Sequence, residues 1–218
     1  MEFSVYASRP IPDLHFGIFD EEGILVDSRE LSFRSGGRSI TYDYEGPKRI
    51  IFFTPKKVRR DDGQTTIQRN VKASASIPQN LTKALIVFMQ KPASERVTGE
   101  PSHNVLLIDD SESALPWGGL AIYNATTVTL LGSVENGESS DGKRISINSG
   151  QNPPSLIAPT GSVRLAYKFK DEFWQLVYAK TFSCSVNERI LLLILPPRSK
   201  GARQVRGAVI TDRINPTE

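Results

Sequence analysis

Two apolar openings far apart in the chain read alike. Phe3-Ser4-Val5-Tyr6-Ala7-Ser8 stands near the start, and Leu120-Ala121-Ile122-Tyr123-Asn124-Ala125 stands just past the middle. A tandem repeat constrains domain number and architecture before any chemistry is considered. Three further landmarks recur in the same order. Gly46-Pro47-Lys48-Arg49-Ile50 matches Gly161-Ser162-Val163-Arg164-Leu165. The apolar run of residues 85–89, closed by Pro92, matches residues 190–195, closed by Pro197; and Leu107-Ile108-Asp109-Asp110 matches Val209-Ile210-Thr211-Asp212. The separation of matched landmarks shrinks along the chain, so the first copy carries the longer loops, where insertions are tolerated. The repeat predicts two domains, residues 1–113 and 114–218, each large enough to bury a core of its own. The boundary falls in the polar stretch Asp109-Asp110-Ser111-Glu112-Ser113-Ala114-Leu115-Pro116.

Strand patterning dominates the rest. No stretch shows apolar residues at helical spacing over three turns. Val163-Arg164-Leu165-Ala166-Tyr167-Lys168-Phe169 alternates at period two, as a half-buried strand does. Phe173-Trp174-Gln175-Leu176-Val177-Tyr178 returns beyond Asp171-Glu172 as its hairpin partner. Residues 190–195 are apolar throughout and predict a central strand covered on both faces, with residues 85–89 as the equivalent. Other strands are expected over residues 14–19, 23–27, 30–33, 39–44, 50–54, 67–75, 106–108, 128–132, 143–148 and 205–211. Gly-containing turn signals such as Asp62-Gly63 and Asn136-Gly137 separate several of them. Many short strands with frequent turns predict an all-β protein of two tandem β-sandwiches, immunoglobulin-like in the loose architectural sense. The paired cysteines of true immunoglobulin domains are missing, which leaves topology open, and two small β-barrels are the alternative.

Charge and cysteine usage narrow the field further. Residues 1–113 hold 15 Lys/Arg against 16 Asp/Glu, and residues 114–218 hold 12 against 8. This mild asymmetry is weaker than most nucleic-acid binders show. Cys184 is the only cysteine, so no intramolecular disulfide forms. It shares a predicted strand face with Phe182 and Val186, which makes it a small buried hydrophobe. The chain has no apolar run long enough to span a membrane as a helix. The first strand starts almost on Met1, without the lead-in Pro116-Trp117-Gly118-Gly119 of the second copy. An exported protein with its leader removed is the expectation, and a cytoplasmic one the alternative.

Candidate chemistry is sparse. Gly137-Glu138-Ser139-Ser140-Asp141-Gly142-Lys143-Arg144 approaches the phosphate-loop pattern but ends in Arg144 where a hydroxyl should bind Mg²⁺. It also lies between strands, so it reads as a solvated hairpin loop. The clusters Asp61-Asp62 and Asp109-Asp110-Ser111-Glu112 lack calcium-loop spacing. They read as turn and linker, with a weak calcium site at the second conceivable because Asp212 occupies the matching place in copy two. His15 and His103 form no ligand pair, and no nucleophile elbow exists. The sequence therefore indicates no catalytic residue, no metal and no cofactor. Asn80-Leu81-Thr82 and Asn124-Ala125-Thr126 match the glycosylation pattern.

Two basic clusters remain. Lys56, Lys57, Arg59 and Arg60 follow a strand of domain one; Arg198, Lys200, Arg203 and Arg206 join the last two strands of domain two. Affinity for phosphate from such patches is blind to sequence and falls steeply with salt. Asp61-Asp62 offset the first cluster, and no aromatics interleave with the second. Trp117, at the domain junction, either fills the contact between domains or offers a binding aromatic; large aromatics favour the first. Together these nine residues make the candidate binding surface.

The tandem layout, with the repeated landmarks above, resembles bacterial cell-envelope proteins built from two immunoglobulin-like domains, some associated with pili or secretion. That resemblance covers the whole chain but carries no diagnostic motif, and no residue-level role is carried over from it. It implies a non-catalytic binding or assembly module of the envelope, periplasmic or on the outer surface. Strand edges and loops would engage a protein partner or a second copy. The alternatives are an anionic-polymer binder (carbohydrate or nucleic acid) working through the basic loops of domain two, and a small hydrolase with a site between the domains.

Overall fold

The repeat is realised strand for strand. The computed structural model describes the chain apart from residues 21, 23, 34–36, 60–62, 137–142, 157–159, 169–173, 198–203 and 215–218. It divides into two units, Met1–Asp109 and Asp110–Glu218. The division lies inside the expected linker but ahead of the expected boundary after residue 113. Strand pairing persists to Asp109, and Asp110 is bonded into the second unit.

The first unit contains β1 (Glu2–Ala7), β2 (His15–Phe19), β3 (Leu25–Glu30), β4 (Tyr42–Asp43), β5 (Arg49–Arg59), β6 (Thr65–Ser76), β7 (Lys83–Gln90) and β8 (His103–Asp109). One sheet has the order β4-β1-β7-β8 and the other β3-β2-β5-β6. The second unit contains β9 (Gly119–Asn124), β10 (Leu130–Asn136), β11 (Lys143–Ile147), β12 (Gly150–Gln151), β13 (Ser155–Leu156), β14 (Thr160–Lys168), β15 (Trp174–Ser183), β16 (Glu188–Leu195) and β17 (Arg206–Arg213). Its sheets run β12-β9-β16-β17 and β11-β10-β14-β15, with β13 added beside β9. Replacing each strand of unit one by its counterpart reproduces unit two, including the sense of every shared pairing. In both units one sheet is wholly antiparallel, and the other has a parallel pair at its centre, β1 with β7 and β9 with β16. That central parallel pair is the topological detail the sequence left open, and it departs from the antiparallel sheets of immunoglobulin domains. Among the described residues no sheet closes into a barrel.

Each unit buries one core between its two sheets. In unit one Phe3, Val5 and Ala7 of β1 and Ala84, Ile86 and Phe88 of β7 meet Phe16 of β2, Ile50 and Phe52 of β5 and Ala73 and Ala75 of β6. Phe3 meets Phe16, and Phe52 meets Phe88, edge to face, the arrangement that ring quadrupoles prefer. In unit two Leu120, Ile122, Ile190, Leu192 and Ile194 face Leu130, Val134, Ile147, Leu165, Val177 and Phe182. Residues 84–88 and 190–194 are buried on both faces, as their unbroken apolar runs predict. A bulge interrupts the equivalent hairpin in both units, at Phe52/Phe53 and at Leu165/Ala166.

Several expected elements change length. Residues 23–27 and 30–33 contribute to the single strand β3. Expected strand 39–44 shrinks to the two residues of β4, because the Ser39 amide donates to the Val5 carbonyl and the Val5 amide to the Ser39 hydroxyl. The strand expected to stop at Thr54 runs on through Pro55 to Arg59. Val186, expected on the buried face with Cys184, is 80% exposed, since β15 ends at Ser183. Among the described residues no helix is long and apolar enough to cross a membrane.

Candidate functional site: a basic ribbon on the first unit

The run-on of β5 creates the most distinctive surface of unit one. Strand β2 pairs with β5 only as far as Phe53, opposite His15. Beyond that point β5 keeps one partner, β6, in the register Thr54↔Asn70, Pro55↔Arg69, Lys56↔Gln68, Lys57↔Ile67, Val58↔Thr66 and Arg59↔Thr65. Proline fits here because only one side of the strand needs ladder hydrogen bonds. Six pairs at about 3.4 Å per residue make a two-stranded ribbon roughly 20 Å long. Its side chains lie largely in solvent, in contrast to the core-facing first half of the same hairpin.

Alternation sorts the ribbon's cations onto two faces. Lys57, Arg59 and Arg69 share one face with Pro55 and Ile67; Lys56 lies on the other with Gln68 and Asn70. All four cations are exposed. At the base, the Arg69 guanidinium sits 5.9 Å from the Phe53 ring centroid, and the His15 ring stacks on that same Phe53 ring at 5.9 Å. Both are within the range of weak ring contacts. Arg69 stands outside both basic clusters of the sequence. Ten positions separate it from Arg59, and only the hairpin register brings it beside Pro55 and Lys57.

Of the expected surface, Lys56, Lys57 and Arg59 are thus brought together. Arg60, Arg198, Lys200 and Arg203 lie outside the described residues. Arg206 is exposed at the start of β17 and donates from Nε to the Pro196 carbonyl at 2.9 Å. Trp117 belongs elsewhere: its ring lies 4.7 Å from the Arg189 guanidinium carbon, within unit two.

Among the described residues, Arg189 is the one charged residue buried in a strand of unit two. It is 3% exposed, directly opposite Asp212 on β17. Nε and Nη2 donate to Asp212 Oδ2 at 2.9 and 2.6 Å. Nη2 also donates to Asp110 Oδ2 at 3.1 Å, and Nη1 to the Asp110 carbonyl at 3.0 Å. The two acidic landmarks do converge in space, but around a guanidinium rather than in a calcium loop. Among the described residues no group of three or more His, Cys, Asp or Glu side chains is placed to hold a metal ion.

Other polar residues also have structural duties. Asn124, fully buried, donates to the carbonyls of Val128 and Ile147 and accepts from the amide and hydroxyl of Thr126. The glycosylation match at Asn124 therefore has no accessible amide, whereas Asn80 is exposed. Cys184 is buried, and burial, then the nearby Glu188 carboxylate, raises its thiol above the ordinary value. His103 bonds to Ser102 Oγ at 2.9 Å; burial, then Lys72 and Arg96, lowers its pKa. The near phosphate loop lies mostly outside the described residues, between β10 and β11, which pair antiparallel. Trp174 is 53% exposed.

The chain is thus an all-β protein of two units that repeat one strand order. No protein-family model matches it, and no curated protein matches it.

Proposed function

We propose that the protein is a non-catalytic binding module whose contact surface is the basic ribbon of unit one. The observation that supports this is the pairing limit at Phe53: residues 54–59 and 65–70 form a protrusion that adds almost nothing to the core. An isolated two-stranded hairpin is marginal in water, so a protruding one is a cost to folding that binding would offset. The remaining polar groups fit a scaffold. Arg189 is held by two aspartates, Asn124 by backbone, and the thiol of Cys184 is buried.

A photoreactive residue placed at position 57, and in a control protein at position 28 on the exposed edge strand β3, tests this in cell extract of the source. Partner cross-links from position 57 and not from 28 are expected. Equal labelling at both positions, or none at 57, refutes the proposal.

A further inference from the structure

The distribution of charge on the ribbon points to the kind of partner it takes. We propose that it binds duplex nucleic acid through the phosphate backbone, seated in a groove; the inference rests on the binding-module reading above.

Three features argue for this partner. First, the described ribbon residues 54–59 and 65–70 contain Lys56, Lys57, Arg59 and Arg69 and no carboxylate. In the sequence, residues 54–70 hold five Lys/Arg against Asp61 and Asp62. A cationic protrusion on an otherwise nearly balanced unit is an electrostatic footprint for a polyanion. Second, the cations occupy both faces, Lys56 on one and Lys57, Arg59 and Arg69 on the other. A planar anionic surface, such as a lipid bilayer, would engage one face and leave the other idle. A groove presents a phosphate wall on each side, and the major groove of duplex DNA admits a two-stranded β-ribbon. Third, Lys57 and Arg59 are two residues apart on one strand, about 6.8 Å along it, and Arg69 lies at the next step opposite Pro55. The row places successive charges within reach of successive phosphates. Gln68 and Asn70, exposed beside Lys56, add neutral donors for phosphate and sugar oxygens.

The binding is expected to be indifferent to sequence and steep in salt. Four phosphates neutralised give a slope of log K against log salt of about −3.6. The experiment uses the full chain and a fluorescent 20-base-pair duplex, read by anisotropy between 50 and 200 mM NaCl. Lys56→Gln, Lys57→Gln, Arg59→Gln and Arg69→Gln together should weaken binding at least a hundredfold at 50 mM salt, with an unchanged circular dichroism spectrum. Lys57→Gln alone should flatten the slope by about 0.9. Competition on the wild-type protein, which needs no variant, should show unlabelled duplex displacing the probe better than heparin or phosphatidylserine vesicles at equal charge. Absence of saturable binding at 50 mM salt, an unchanged slope in the quadruple variant, or preferential displacement by heparin or vesicles overturns the inference. Cross-links from position 57 without duplex binding would overturn the nucleic-acid assignment alone and leave the binding module standing.

Discussion

Replacing Arg189 by methionine should destabilise unit two far more than its single position suggests. The guanidinium is 3% exposed, and it bonds Oδ2 of the Asp110 carboxylate, itself 3% exposed, as well as Asp212 at 30%. Methionine fills comparable volume and lies well in a strand core, so lost packing is small. The cost comes from Asp110, whose buried carboxylate loses the guanidinium it bonds. Removing one partner of a buried pair costs about 3–5 kcal/mol. The Asp212 leg is partly solvated and adds less than its 2.6 Å distance implies, because solvent screens it. Trp117 also loses the cation on its ring, worth about 1 kcal/mol or less.

Both tryptophans, Trp117 and Trp174, belong to unit two, so tryptophan emission, excited at the red edge where tyrosine does not absorb, follows that unit. With a urea slope of about 2 kcal/mol/M, a loss of about 4 kcal/mol moves the midpoint down by about 2 M. Arg189→Lys, which keeps charge but loses the planar fork, should fall between wild type and Arg189→Met. The triple variant Arg189→Met, Asp110→Asn, Asp212→Asn should recover much of the loss, because the three ionised groups of the cluster are removed together. A midpoint for Arg189→Met within 0.5 M of wild type would refute the reasoning, as would a triple variant less stable than the single one.

Three further outcomes follow from individual sites. The Glu188 carboxyl accepts from the Ser185 amide and pairs with Arg213, and these contacts, the amide first, hold its pKa below the ordinary value. A depressed folded-state pKa stabilises above the unfolded value, and that contribution disappears as pH falls through the folded value. Proton-detected titration should therefore place Glu188 below a free glutamate, and Glu188→Gln should remove this part of the acid sensitivity; a normal midpoint contradicts the geometry. Cys184 should resist thiol reagents near neutral pH in the folded protein and react once urea unfolds it, and labelling at equal rates in both states would show that it is not buried. Gly207→Ala should cost about 1–3 kcal/mol, since its Cβ would fall against the Tyr178 ring, 2.6 Å from Cζ, and force that ring out of the core edge; fluorescence-detected urea unfolding measures it.

The register of the repeat shows where sequence reading slips. Matching residues 85–89 to 190–194 places Val87 opposite Leu192. The parallel ladders place Tyr6 beside Val87 and Tyr123 beside Leu193, so the true counterpart is one residue further on. A one-residue slip normally betrays itself by turning apolar side chains to solvent. These strands are buried on both faces, so neither parity looks wrong. The match of Leu107 with Val209 needed no correction, because both stand in pairs that the ladders align, Ile86↔Leu107 and Leu192↔Val209.

What the sequence determined by itself was the all-β class, the two-fold repetition and the buried thiol at Cys184. Each is written in local pattern: period two, turn punctuation, an apolar neighbourhood. What only the tertiary structure decided was partnership between distant residues. Arg69 joins Lys57 and Arg59 because a hairpin register crosses ten positions, and Pro55 is accepted in mid-strand because β2 has ended two residues earlier. Arg189 reads as an ordinary polar residue just ahead of the apolar run 190–195 until Asp110 and Asp212 close on it from opposite ends of the unit. Backbone pairing and charge desolvation act through space, so the residues that define the ribbon and the buried arginine cluster carry no local signal of their association.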